Sequence, residues 1–153
     1  MIHREDIENV QKLWSRMIVR IGALKEDRNV CEAYARERLD DLYAFEKGDV
    51  LFKPTKASVT PFRLNKLSAL SYFIGGNPEF AEDRGFALEP WVKVRFQNVG
   101  FILKEKHATA VGNAYFTNAN QKEIQAHYTF GYIKCEGSLL KIEAHHSSLP
   151  FEA

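Results

Sequence analysis

Apolar residues recur at helical spacing through the first quarter of the chain. Ile7, Val10, Leu13, Trp14, Met17, Ile18, Ile21 and Leu24 fall on one face and predict a helix over residues 7–24. A second helix is expected over 30–45, with Asn29 as its N-cap, Glu32 three residues on, and Val30, Ala33, Tyr34, Leu42 and Tyr43 on its buried side. Lys47-Gly48-Asp49 stops it. Val50–Lys53 then reads as a short strand ended by Pro54. Leu64, Leu67, Leu70 and Phe73 suggest a short third helix, halted by Gly75-Gly76-Asn77-Pro78, and residues 79–90 read as loop.

From Trp91 the period changes to two. Strands are expected over 91–98, 100–104, 108–117, 123–134 and 138–148, with turns at 118–121 and 136–137. Gly112 and Gly131 fall inside strands, where glycine marks a bulge or bend. Helices followed by long antiparallel strands define an α+β class. The expected architecture is one domain over residues 1–153: a cone-shaped, strongly curved antiparallel sheet wrapped around the N-terminal helices, with a pocket between them.

The closing strand carries the oddest pattern. Leu140, Ile142 and Ala144 alternate as a core strand should, but His145-His146-Ser147-Ser148 follow. Burying such groups costs free energy unless they are hydrogen-bonded or face a wet cavity. Uninterrupted alternation would place His146 and Ser148 on the core side, and His145 and Ser147 outside.

Composition narrows the functional classes. The chain has 153 residues, 45% hydrophobic and 27% charged, with a net charge of +1. That balance suits an ordinary globular domain and offers no basic surface for nucleic acid. Met1–Asp6 is polar from the start, so neither a signal peptide nor a membrane span is expected. Cys31 and Cys135, far apart in sequence, read as reduced thiols of a cytoplasmic protein.

A metal would have to draw on His127, His145, His146, Cys135 and Glu143, but adjacent strand histidines face opposite ways and no His-x-His or Cys-x-x-Cys spacing occurs. His146 activating Ser148 as a nucleophile lacks a nucleophile-elbow turn. Acid–base chemistry on a larger organic molecule would need a buried carboxylate, for which Asp40, Asp41 and Glu46 are the candidates. Tyr34, Tyr43, Tyr115, Tyr128 and Tyr132 are candidate pocket liners.

The element order, Leu51-Phe52-Lys53-Pro54-Thr55, Tyr72-Phe73 and the His-His-Ser-Ser ending together resemble the nuclear transport factor two-like (SnoaL-like) superfamily. The resemblance is to its calcium/calmodulin-dependent kinase II association-domain-like branch, which includes the iota-class carbonic anhydrases. It implies a bicarbonate site of Thr55, Tyr72, His146 and Ser148, acting catalytically in metal-free hydration of carbon dioxide with His146 as proton acceptor and no cofactor. It also implies alternatives: a non-catalytic association or ligand-binding domain, or an isomerase or cyclase for a larger substrate. Members commonly pair through the outer sheet face, here involving Trp91, Val111, Phe116 and Ile133, which gives an expected homodimer or higher homo-oligomer.

Overall fold

The computed structural model describes residues 1–137 and 140–153. Helix α1 spans Arg4–Ala23 and buries the stripe read from the sequence, from Ile7 to Ile21. Its start is held by the His3 backbone N–H, which donates to the Asp6 carboxylate at 2.7 Å. Helix α2 spans Arg28–Leu42, and its N-cap is Asp27 rather than Asn29: the Asp27 carboxylate accepts from the Val30 N–H at 3.2 Å. Its buried stripe is Cys31, Ala35, Leu39 and Leu42, whereas Val30 and Ala33 are exposed. Two of those four are small, so the packing face carries little hydrophobic signal. Helix α3 spans Lys66–Ile74, capped by Asn65, whose side chain accepts from the Ser68 N–H at 2.9 Å. Leu70 and Phe73 are buried on it, but Leu67 is not.

Five strands form one mixed sheet, curved but unclosed: β1 (Leu51–Lys53), β2 (Trp91–Leu103), β3 (His107–Asn118), β4 (Glu123–Lys134) and β5 (Leu140–Ser148), in the order β1-β5-β4-β3-β2. The sheet is not purely antiparallel, because β1 runs parallel to β5 and pairs Phe52 with His145. A parallel neighbour needs a long crossover, and α3, β2, β3 and β4 all lie between the two in sequence. The two strands expected over 91–98 and 100–104 are one strand with an irregularity between Asn98 and Gly100. Of the expected fifth strand, residues 138 and 139 lie outside the described residues.

Gly112 and Gly131 each lie opposite a bulge. Gly112 pairs with Asn98 while Val111 pairs with Gly100, so Val99 is the extra residue on β2. Gly131 pairs with Ala144 while Tyr132 pairs with Ile142, so Glu143 is the extra residue on β5. The second bulge resets the alternation of β5. Leu140 and Ile142 face the core, then His145 and Ser147 do, while His146 is exposed and Ser148 half-buried. The expectation that His146 and Ser148 look inward is therefore reversed.

The core fills the space between the helices and the concave sheet face. Trp14 stands at its centre, edge-on to Phe73, Phe96, Phe116, Phe130 and His145. Trp91 and Phe116, expected at an outer interface, are both buried inside this core. Val111 faces out and is exposed, and Ile133 is half-buried. No helix among the described residues is long and apolar enough to cross a membrane.

Candidate active site

His145 is 4% exposed and lies between two ring faces, with centroids 4.6 Å from Phe52 and 4.0 Å from Phe130. β1 brings Phe52 beside it and β4 brings Phe130. Burial holds the imidazole pKa well below its ordinary value, with the neighbouring His146 adding to the effect. His145 is thus neutral at physiological pH, with one ring nitrogen a donor and the other an acceptor.

The hydrogen-bond chain around it fixes which is which. The Trp14 indole N–H can only donate, and does so to the Tyr43 hydroxyl oxygen at 2.9 Å. Tyr43 is fully buried, and burial raises its phenol pKa, so it keeps its proton. That proton has an acceptor in His145 Nδ1, 2.9 Å away. His145 Nε2 then carries the hydrogen and donates to Ser147 Oγ at 2.9 Å. This tautomer satisfies the donors of Trp14, Tyr43 and His145. It leaves the Ser147 hydroxyl proton free to point at whatever occupies the cavity.

Ser147, His145, Thr55 and Tyr72 all line one cavity. Aromatic rings, among them Phe52, Phe86, Phe96 and Phe116, line the rest, and no carboxylate does. Its volume is about 10 Å³, room for the centre of about one water-sized molecule. Tyr72, 5% exposed, sits on α3, and its hydroxyl accepts from the Lys56 N–H at 3.2 Å. Burial raises the Tyr72 pKa, so at neutral pH it too is a protonated donor. Tyr72 and Phe86 also line a wider polar depression of about 320 Å³ with Lys56, Arg84 and Glu89. These two rings form the partition between cavity and surface.

The structure brings Thr55 and Tyr72, the pair that the resemblance implies, to one cavity with His145 and Ser147 in place of His146 and Ser148. Tyr43 and Trp14 complete the site from behind. Tyr43 had only a general signal as a candidate liner, and Trp14 none beyond its place in a core stripe. Tyr128 also lines the cavity, whereas Tyr115 lies on the outer face with its hydroxyl on Gln97.

The other chemistries find no assembled residues. Asp40 accepts from Lys66, Asp41 from Arg38 and Glu46 from Lys141, all surface ion pairs away from the cavity. Glu143 pairs with His107 on the outside of the sheet. Among the described residues no three His, Cys, Asp or Glu side chains gather as a metal site. A one-molecule cavity is also far below the several hundred cubic ångströms that a drug-sized substrate needs.

A family model described as metal-independent carbonic anhydrase matches residues 5–149. A metal-independent carbonic anhydrase from Nostoc sp. (strain PCC 7120) is 36% identical over 154 residues, covering 99% of this chain and 75% of its own. The crystal structure of a cyanobacterial iota-carbonic anhydrase complexed with bicarbonate superposes with a TM-score of 0.95 at 35% identity, over 99% of this chain and 94% of that one. A protein from Xanthomonas campestris described as a calcium/calmodulin-dependent protein kinase II association domain shares the fold, with a TM-score of 0.63 at 21% identity, over 100% of this chain and 91% of that one.

Proposed function

The chain belongs to the metal-independent carbonic anhydrase family, and on that premise we propose that it hydrates carbon dioxide reversibly, without a metal, in the cavity lined by Tyr72 and Ser147. The observation that carries this reading is the buried hydrogen-bonded chain from Trp14 through Tyr43 and His145 to Ser147, which reaches a cavity also lined by Thr55 and Tyr72.

In this reading the ligand-binding and catalytic residues are Thr55, Tyr72 and Ser147, with His145 acting through Ser147. The hydroxyls are aimed at oxygens that become negative as water adds to carbon dioxide. Bicarbonate is planar and has three oxygens, which suits several donors lining one narrow slot.

The attacking water must lose a proton. It passes to Ser147 Oγ as Ser147 passes its own to His145 Nε2, which requires the tautomer with hydrogen on Nδ1. In that tautomer the Tyr43 oxygen accepts from both Trp14 and His145, and the Tyr43 proton is left without a partner. The cost is about 1–3 kcal/mol. The imidazolium formed is disfavoured by burial, and it returns its proton through Ser147 to a water that replaces the departing bicarbonate.

The exposed outer face of the sheet, where Val99, Ile102 and Val111 lie, is the surface through which two copies would pair. Sedimentation at high concentration tests that, and a monomer would refute it. A cytoplasmic location accords with the unpaired Cys31 and Cys135.

Stopped-flow measurement of carbon dioxide hydration on chelator-treated protein tests the activity. The expected result is a rate well above buffer. Folded protein that gives no such rate would refute the enzyme reading.

A further inference from the structure

Thr55 and Tyr72 reach the cavity from a loop and a helix that share no strand with His145 and Ser147. Two adjacent carboxylates from the stretch between α3 and β2 hold them in place. The Glu82 carboxylate accepts from three successive backbone N–H groups of the loop that follows Thr55: Ser58 at 2.8 Å, Val59 at 3.2 Å and Thr60 at 2.8 Å. Those donors, chiefly Ser58 and Thr60, pull the Glu82 pKa down to about 2, so the capture persists across any working pH.

Asp83 makes the second grip. Its side chain is 2% exposed and takes both arms of Arg63, whose own side chain is wholly buried, at 2.7 and 2.8 Å. Arg63 also donates to the Thr60 and Ser68 carbonyls, binding the end of the loop to the start of α3. One Asp83 oxygen accepts in addition from Ser71 Oγ at 2.5 Å, and Ser71 directly precedes Tyr72. The close approach that allows this is built in at Gly75. Its φ is +63°, and a Cβ there would lie 3.1 Å from the backbone at Arg84 and Gly85.

Resting on the proposed hydration site, we propose that Asp83 is a positioning residue for the reaction: through Arg63 and Ser71 it sets the Thr55 and Tyr72 hydroxyls at the distance from Ser147 that the reacting molecule needs. A buried bidentate ion pair contributes uncertain net stability but fixes geometry well. Misplacing a reacting group by about 1 Å can cost on the order of 100-fold in rate.

The test uses the whole chain with ring-labelled tyrosine, the Tyr72 resonance being assigned by its loss in Tyr72→Phe. In Asp83→Asn the Tyr72 signal should shift or broaden, and kcat per folded molecule should fall on the order of 10- to 100-fold, with the folded fraction measured separately. A purely stabilising role would lower the folded fraction but leave kcat per folded molecule unchanged, and that result overturns the proposal, whether or not the resonance moves. If Asp83→Asn does not fold, Ser71→Ala decides in its place, since it keeps the ion pair and removes only the Tyr72-side grip. Should the wild-type protein show no hydration, the proposed function fails. The clasp is then judged by the Tyr72 resonance alone, and an unmoved signal overturns it.

Discussion

His145 and Ser147 sit two residues apart on one face of β5, with 2.9 Å between Nε2 and Oγ. His146, between them in sequence, is on the other side of the sheet and exposed. Replacing His145 with Ala should therefore destabilise the fold by about 3 kcal/mol or more, because it opens a cavity and leaves the Tyr43 hydroxyl without its acceptor. His146→Ala should stay within about 0.5 kcal/mol. Urea denaturation of the two variants checks the difference.

The serines should separate in the same way, but in rate rather than stability. Ser147→Ala removes the donor aimed into the cavity, and kcat for hydration should fall on the order of 100- to 1,000-fold. Ser148→Ala should keep the wild-type rate. Equal losses in both would refute the assignment of the reaction to the Ser147 face.

Stability should depend on pH through His145. In the unfolded chain the imidazole takes up a proton below about pH 6.5, while in the folded protein burial keeps it neutral to well below that. The unfolded state then binds more protons, so stability is fully present above about pH 6.5. As pH falls below that towards the lowered value, stability is lost at about 1.4 kcal/mol per pH unit from this group. The difference between wild-type and His145→Asn denaturation midpoints, followed from pH 7.5 to 5, should shrink on this account. The hydration rate, by contrast, should show no inflection near 6.5 that traces to His145.

Gly112 should not accept even a methyl group. A Cβ there would lie 2.1 Å from the Gln97 carbonyl oxygen and 2.7 Å from the Tyr128 hydroxyl. The first contact is backbone, which cannot swing aside. Gly112→Ala should cost about 3 kcal/mol, seen as a lower denaturation midpoint at unchanged slope.

The architecture was legible where pattern and chemistry coincide. The α1 stripe, the change to period two at Trp91, and the polar ending of β5 all stand in the sequence. Thr55 and Tyr72 came only from resemblance, since a single hydroxyl in a loop or helix has no periodic signature. The face of β5 is not legible from its own alternation, because the extra residue at Glu143, opposite Gly131 of β4, shifts the parity of everything after it. A glycine inside one strand bears on the parity of its partner, and strand pairing is not written in either strand alone. Along α2 and its C-cap, Leu42 and Tyr43 are buried as expected, but Val30 and Ala33 are exposed because Cys31 and Ala35 pack in their stead, by smallness and not by hydrophobicity. The clasp at Asp83 was invisible because it joins three segments through a buried Arg63 that reads as an ordinary surface charge.

The ring-lined cavity behaves towards a dissolved gas as a droplet of hydrocarbon would. Carbon dioxide is uncharged and loses little on leaving water for Phe52, Phe86, Phe96 and Phe116. Bicarbonate carries a full charge, and the same walls give it nothing beyond the few hydroxyls that made it. In the proposed reaction the lining thus draws the reactant in and expels the product. Swapping one wall ring for a polar residue should convert an enzyme that turns over into one that retains its anion.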